Sequence, residues 1–369
     1  MVLTAGFREA GRPDLEAQIL AAARQSGIRF VGPNVQGINY LPNRLCAMFF
    51  PVVTARGPLA VISQSGTVTA ALSEWAEGEG LGISAAVNLG NQTDLCESDY
   101  LQWLAEDEHT RAVAMYVEGV KDGRKFLETL REATALKPVA VLKGGRTEAG
   151  RKAAASHTGS LAGSHDVFSA ACRQAGAVCA ETLEHLYDAA KALATMAPPK
   201  GPRVLSISTS GGAGTLGADE AALRGLALPA LSPACVEDLR GAGLSPLATL
   251  ANPLDCASIS AAHMRAAALI ADRHDAADLI VLNFGDPVPG AVEAASEVAA
   301  TARARLAVTY FGGGEEERLA RPALHGAGIP VYPTPERAMA GVAAAVWAAR
   351  WRRERGLGPA REGEDHDGT

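Results

Sequence analysis

Along most of the chain, short apolar runs alternate with longer stretches in which apolar positions recur every three or four residues. The short runs are IRFVGPN, PLAVISQSG, ISAAVNLG, AVAMYVEG and PVAVLKGG, then VLSISTSGG, LIVLNFGD, LAVTYFGG and IPVYPTP. Their length and their closing glycine, proline, asparagine or aspartate residues predict strands. Between them, LEAQILAAARQSG, TVTAALSEWAEGEG, ESDYLQWLAEDE, GRKFLETLREATAL and VFSAACRQAG have the period of amphipathic helices. Continuously apolar strands separated by helices imply parallel sheets covered on both faces, an α/β fold.

Breaks in this rhythm divide the chain. Consecutive prolines in MAPPKGP, around Pro198 to Pro202, end one helix and stiffen the link to the next strand. A less sharp break falls near Pro51 to Pro58. The expected parts are 1–55, 56–197 and 198–355, with 356–369 a disordered tail, because REGEDHDGT offers no apolar anchor. The opening, VLTAG followed by one helix and IRFVGPN, reads as the back half of a nucleotide-type domain. The front half is expected from a missing segment or from a partner.

Composition narrows the function. Hydrophobic residues make up 48% of the 369 but aromatics only 5%, which suits small-residue packing of helices on parallel strands. A dispersed net charge of -7 provides no basic stripe for nucleic acid. No apolar run approaches the roughly 18 residues of a membrane span, and MVLTAGFREAG lacks the order of a signal peptide. A cytoplasmic protein is expected, with no membrane partner. Six cysteines without a C-x-x-C pair predict reduced thiols, and no metal site is expected on this chain.

Two segments share one design. VISQSGTVTAAL carries a strand through Gln64, Ser65, Gly66 and Thr67 straight into a helix; VLSISTSGGAGTLGADEA does so through Ser210, Gly211, Gly212, Ala213 and Gly214. Glycine at such a turn allows unusual backbone angles, and the helix start presents unpaired N–H groups and the positive end of its dipole. Each is a seat for an anion, or else an ordinary capped turn.

His157 lies in SHTGSLAG, a run of small residues with nothing to pack an imidazole against. A loop histidine suits a travelling nucleophile: it accepts a phosphoryl group on one ring nitrogen while an acceptor fixes the other. Glu118, after the apolar run AVAMYV, is the candidate acceptor, with a solvated strand-end carboxylate as the alternative.

The blocks TAGF, GPNVQG, VISQSGT, NLGNQTDLCESDYLQWL, YVEGVKDGRKF, VLKGGRTEAGRKAAASHTGSLAG, SGGAGTLGADEA and NPLD resemble, in order, the nucleoside-diphosphate-forming acyl-CoA synthetases related to succinyl-CoA synthetase. The resemblance implies a partial Rossmann-type CoA-binding domain followed by two flavodoxin-like domains. It also implies a reaction in which acyl-CoA and phosphate give an acyl phosphate, which phosphorylates histidine, which passes the group to ADP. On this resemblance His157 is the phosphorylated histidine and Glu118 its hydrogen-bonding partner. Gln64, Ser65, Gly66 and Thr67 hold phosphate from one helix, and Gly211, Gly212, Ala213 and Gly214 from another. Thr4, Ala5, Gly6 and Asn34 line the CoA site, Gly90 and Asn91 lie beside the acyl group, and Asn252 and Asp255 are structural or subunit-contacting. ATP or ADP and Mg2+ are implied at an ATP-grasp module supplied by a β-type subunit or missing domain. The implied substrates are a small carboxylic acid and its acyl-CoA, and an oligomer is expected.

Gln92 stands where the family often has lysine. The front half-domain and the ATP-grasp stretch have no counterpart here, which keeps open a non-catalytic CoA-binding or regulatory scaffold. His165 reads as a polar helix start, the basic run ARWRRERG as a solvated helix end, and Lys143, Arg146 and Arg151 as either phosphate attractors or plain surface charges.

Overall fold

The structure, a computed structural model, describes residues 1–49, 53–152 and 163–358. The chain divides into two compact units, Met1–Ala190 and Lys191–Pro359.

The first unit opens with helix α1 (Pro13–Gln25) and a hairpin of β1 (Gly37–Tyr40) and β2 (Leu45–Met48). Then β3 (Arg56–Ser63), α2 (Gly66–Gly78), β4 (Ile83–Asn88), α3 (Glu97–Glu106), β5 (Ala112–Val117) and α4 (Gly123–Leu136) alternate. β6 (Val139–Lys143), α5 (His165–Ala175) and β7 (Val178–Ala180) come next, and α6 (Leu183–Thr195) runs across the boundary between the units in the sequence. The sheet order is β2-β1-β4-β3-β5-β6-β7. From β4 to β7 all neighbours are parallel, while β1 runs antiparallel to both β2 and β4. Every residue of β4 is buried, as a strand covered on both faces requires. On one face Ile62, Val87 and Met115 pack with Leu101, Leu104, Phe126 and Leu130 from the helices.

The second unit repeats the plan with β8 (Val204–Ser208), α7 (Gly211–Leu223), α8 (Pro233–Gly241), β9 (Leu254–Asp255) and α9 (Ala261–Arg273). It continues through β10 (Leu279–Phe284), α10 (Ala291–Thr301), β11 (Arg305–Tyr310), α11 (Glu315–Gly326), β12 (Val331–Tyr332) and α12 (Pro335–Glu354). Its sheet, β12-β11-β10-β8-β9, is parallel throughout. Counted in chain order within each parallel set, both sheets run second, first, third, fourth, fifth, the flavodoxin-like winding. Such a sheet reverses its direction of winding between its first and third strands, here β3/β5 and β8/β10, and leaves a crevice at their carboxyl ends.

The expected strands over VLTAG and IRFVGPN do not form; a hydrogen bond from Val2 N to Val31 O, 3.0 Å, joins the two runs. Gly32 and Asn34 take φ values of 101° and 61°, and Pro33 between them has no N–H to give to a ladder. The β1–β2 hairpin has no clear signal in the sequence, because GINY and LCAM are short and only half buried. It depends on Gly37, where an added Cβ would sit 2.1 Å from Ala47 O.

Leu282 on β10 is fully buried and Leu223 on α7 is 81% exposed. Leu282→Ala is therefore expected to cost about 2–5 kcal/mol and Leu223→Ala less than about 0.5 kcal/mol. Denaturant titration of the two variants beside the wild type checks the pair.

Candidate functional site

The crevice of the first sheet holds the first candidate anion seat. β3 ends at Ser63, whose hydroxyl donates to Ser65 O (2.8 Å) and accepts from Ser65 N (3.1 Å), tightening the turn. Ser65 caps α2 through Val68 N, 3.4 Å. The N–H groups of Gly66 and Thr67, in the first turn, have no acceptor within their own helix. Gln64 is committed inward instead. Its Oε1 accepts from Glu118 N (2.6 Å) and Gly119 N (3.2 Å), and its Nε2 donates to Gly119 O (2.6 Å). One side-chain amide thus pins the end of β3 to the end of β5.

Glu118 is half-buried, and Tyr116 donates its hydroxyl to Glu118 Oε1 at 3.4 Å. Burial, then the Glu118 charge and that hydrogen bond, push the Tyr116 phenol up to about 12, so it remains a donor at neutral pH. β6 delivers the chain beside this pair: Gly144 N donates to Val117 O (2.8 Å), and a Cβ on Gly144 would lie 2.7 Å from Tyr116 Oη. From there the chain runs toward His157, which lies outside the described residues. Lys143, one residue earlier, is only 4% exposed, which removes the plain surface role. Its Nζ donates to Gly144 O at 3.0 Å, and burial followed by the Arg151 charge lowers its pKa. His165 begins α5 and contacts Ser169 Oγ at 3.3 Å.

The candidate CoA and acyl residues meet in the same unit. Asn34 N donates to Thr4 O (3.0 Å), and Asn34 Nδ2 reaches Asn91 Oδ1 and Glu9 Oε1, each at 3.4 Å. Asn91 Nδ2 donates to Glu9 Oε1 (2.7 Å) and Glu16 Oε1 (2.8 Å), while Gly6 N donates to Glu9 Oε2 (3.3 Å). Arg8 and Thr93 complete the shell of the buried Glu16. Thr4, Ala5 and Gly6 are exposed. Gly90, at φ 55°, lies under the preceding loop, where a Cβ would be 2.3 Å from Pro33 O and 2.4 Å from Asn34 O. Gln36 connects this cluster to the anion seat, its side-chain amide lying where a Cβ on Gly66 would be, 2.7 Å away.

The second unit holds the other candidate seat at its own winding reversal. Gly285 N donates to Thr209 Oγ1 (3.1 Å), and Thr209 N donates to Asn283 O (3.2 Å), joining the ends of β8 and β10. Ser210 gives α7 no side-chain cap. Gly211 and Gly212 are exposed, whereas Ala213 and Gly214 are buried, and a Cβ on Gly214 would meet Pro253 at 3.0 Å. The NPLD segment supports this turn from behind. Asn252 Oδ1 accepts from Ser206 N (3.2 Å), and its Nδ2 donates to Val204 O (2.8 Å) and Pro229 O (3.1 Å). Asp255 pairs with Ser208 in the sheet and accepts from Ala257 N. Among the described residues no group of three His, Cys, Asp or Glu side chains is arranged to hold a metal ion, and no helix is long and apolar enough to cross a membrane.

Residues 56–193 match the succinyl-CoA ligase like flavodoxin domain. The chain is 38% identical to the alpha subunit of acetate–CoA ligase (ADP-forming) I from Pyrococcus furiosus, over 95% of this chain and 77% of that subunit. It belongs to the ADP-forming acetate–CoA ligase family. The alpha subunit of ligase II from the same organism is 36% identical over 95% of this chain and 78% of its own length. A solved structure of this ligase type, the dinucleotide-forming acetyl-coenzyme A synthetase 1 of Ca. Korarchaeum cryptofilum in complex with phosphate and ADP, superposes with a TM-score of 0.86. It is 32% identical, covering 97% of this chain and 79% of that one.

Sequence reasoning about this ligase chain missed Gln36, Tyr116, Glu9, Glu16 and Lys121. Glu9, Glu16 and Gln36 touch segments distant in sequence, as does Lys121, whose Nζ donates to Asn91 O and Gln92 O. Tyr116 bonds Glu118 two residues on and lies against Gly144. Only Glu16, an acidic residue on the apolar face of α1, gave a local signal. Gly90→Ala, with backbone oxygens in its way and φ positive, is expected to destabilise by about 1–3 kcal/mol. Gly78→Ala, at the end of α2 with nothing within 4 Å, is expected to be neutral or to stabilise by up to about 1 kcal/mol. Thermal unfolding of the two variants provides the comparison.

Proposed function

We propose that this chain is the phosphoryl-carrying, alpha-type part of an acyl-CoA synthetase that interconverts acyl-CoA, ADP and phosphate with a carboxylic acid, CoA and ATP. The observation that carries the reading is the crevice between β3 and β5. There a helix start whose first N–H groups have no acceptor in their own helix, a carboxylate that accepts from Tyr116 on a backbone pinned by Gln64, and the departure point of the His157 segment come together.

In the acyl-CoA-consuming direction, a phosphate oxygen attacks the thioester carbonyl beside Gly90 and Asn91. The C–S bond breaks, and CoA leaves as a thiolate that takes up a proton. A neutral ring nitrogen of His157 then attacks the phosphorus of the acyl phosphate, the P–O bond to the acyl group breaks, and the free carboxylate departs. Glu118 accepts the other ring N–H and stabilises the charge that the ring acquires. The α2 start at Gly66 and Thr67 stabilises the transferring group with fixed N–H dipoles. Finally a terminal oxygen of ADP attacks phosphohistidine, the P–N bond breaks, and ATP forms; the Gly211–Gly212 turn receives the phosphoryl group for this step.

Thr4, Ala5, Gly6 and Asn34 belong to the CoA site. The nucleotide and Mg2+ sit on an ATP-grasp module of a β-type partner, a reading supported by the alpha-subunit names of the relatives. The working enzyme is then an oligomer, and the cytoplasm is its compartment.

The test is thioester formation from acetate, CoA and ATP by the chain reconstituted with an ATP-grasp subunit. His157→Ala is expected to fall to background with an unchanged circular dichroism spectrum, and Glu118→Gln to lose about a hundredfold in kcat. Wild-type turnover by His157→Ala would remove the phosphohistidine route, and an inactive wild-type complex would favour a scaffold.

A further inference from the structure

The loop that carries Gly90 and Asn91 is not held by packing alone. Gln92 adopts φ 53°, a left-handed conformation unfavourable for a residue with a side chain. Backbone hydrogen bonds anchor one side, from Asn91 N to Pro33 O (2.9 Å) and from Thr93 N to Gly32 O (3.0 Å). The carbonyls on the other side point at one ammonium group. Lys121 Nζ donates to Asn91 O at 2.9 Å and to Gln92 O at 2.6 Å.

Lys121 stands three residues after Glu118, in the connection between β5 and α4. That connection begins at the residues pinned by Gln64 and ends at Asp122, whose side chain caps α4 through Arg124 N and Lys125 N. The start of α2 is thus linked to the acyl loop by two sets of hydrogen bonds, those of Gln64 to Glu118 and Gly119 and those of Lys121 to Asn91 and Gln92, joined by the short covalent stretch 118–121.

We infer that Lys121 is a positioning residue for the acyl half of the reaction: its ammonium fixes the 90–93 loop against the Glu118 segment, so that the acyl phosphate forms within reach of the phosphoryl acceptor. This rests on the reading of that loop as acyl-facing. Lys121 touches neither phosphate seat, so phosphorylation of His157 by ATP does not depend on it.

The groups facing the ammonium are Arg8 ahead of α1, Glu16 on α1, and Cys96 and Glu97 at the start of α3. Lys121 is exposed as a whole, but its ammonium donates to both loop carbonyls. Desolvation there, followed by repulsion from Arg8, outweighs the attraction of Glu16, Glu97 and Cys96 and lowers its pKa from 10.5. The full clamp therefore exists below that lowered pKa and weakens as pH rises through it, sooner than for an ordinary lysine.

The test uses Lys121→Met and Lys121→Arg in the complete enzyme with its ATP-grasp subunit, and acetate as the acid. Lys121→Met is expected to raise KM for acetate about tenfold with kcat within about twofold, and to leave ATP-driven phosphorylation of His157 at the wild-type rate. Hydrogen exchange of amides 91–95 should quicken in Lys121→Met while that of 64–69 stays the same. Lys121→Arg should restore KM, and its KM should stay flat at alkaline pH where that of the wild type climbs. Unchanged KM or unchanged exchange in Lys121→Met overturns the inference, as does an equal loss of ATP-driven phosphorylation. A wild-type enzyme that is phosphorylated by ATP but shows no acetate-dependent turnover overturns the acyl reading of the loop, and the inference with it.

Discussion

The first unit depends on one side-chain amide. At the winding reversal of a flavodoxin-like sheet the connections of β3 and β5 leave toward opposite faces, so the strand ends have no neighbour above them to continue the ladder. Gln64 replaces that ladder, donating to one carbonyl and accepting from two N–H groups across the gap. A partly buried polar group so fully engaged is directional in a way that apolar packing is not. It fixes the backbone of Glu118 and Gly119 against the start of α2 and makes no bond to the Glu118 carboxylate, whose Oε1 accepts from Tyr116. The second unit meets the same geometry with smaller groups: Thr209 supplies its hydroxyl and Gly285 the close approach that a side chain would block. Its NPLD segment, bound through Asn252 to β8, then acts as a buttress for the helix start.

The polar cluster around Asn91 extends this logic outward. Glu9 and Glu16 gather the N–H groups of Gly6, Phe7, Arg8 and Asn91, so a part of the chain without regular strands acquires a fixed relation to the sheet. Burial works to raise the Glu9 carboxyl, but the hydrogen bonds from backbone groups and Asn91 outweigh it and hold its pKa below the usual 4.5. An ionised Glu9 is therefore part of the loop framework over the neutral range. Glu97, close beneath the same loop, behaves oppositely: burial dominates and raises its pKa despite Gln92, Lys121 and Lys125.

Long continuously apolar runs make the parallel strands of both sheets legible in the sequence, because a strand covered on both faces leaves little room for polar residues. The first 36 residues are misleading for a local reason. IRFVGPN has the composition of a strand, but Gly32 and Asn34 turn the backbone away just where pairing would start. In the site, the glycine-marked turns at Gly66 and Gly211 announce themselves, since few other reasons exist for glycine between a buried strand and a helix. Lys121 does not. In VKDGRK it looks like one more solvated charge, and its meaning lies in two carbonyls about thirty residues earlier in the chain. Lys143 is ambiguous for the same reason, its burial depending on Phe168 and the end of β6.

The central claim is that a histidine of this chain carries the phosphoryl group between two sites. Its most direct test is intact-mass and peptide analysis of the chain after incubation with ATP, Mg2+ and an ATP-grasp subunit, without acid or CoA. One added phosphoryl group, labile in acid, stable in base and located on His157, is the predicted result. A chain that stays unmodified beside a competent partner, or that carries the group on a serine or threonine, would contradict the account.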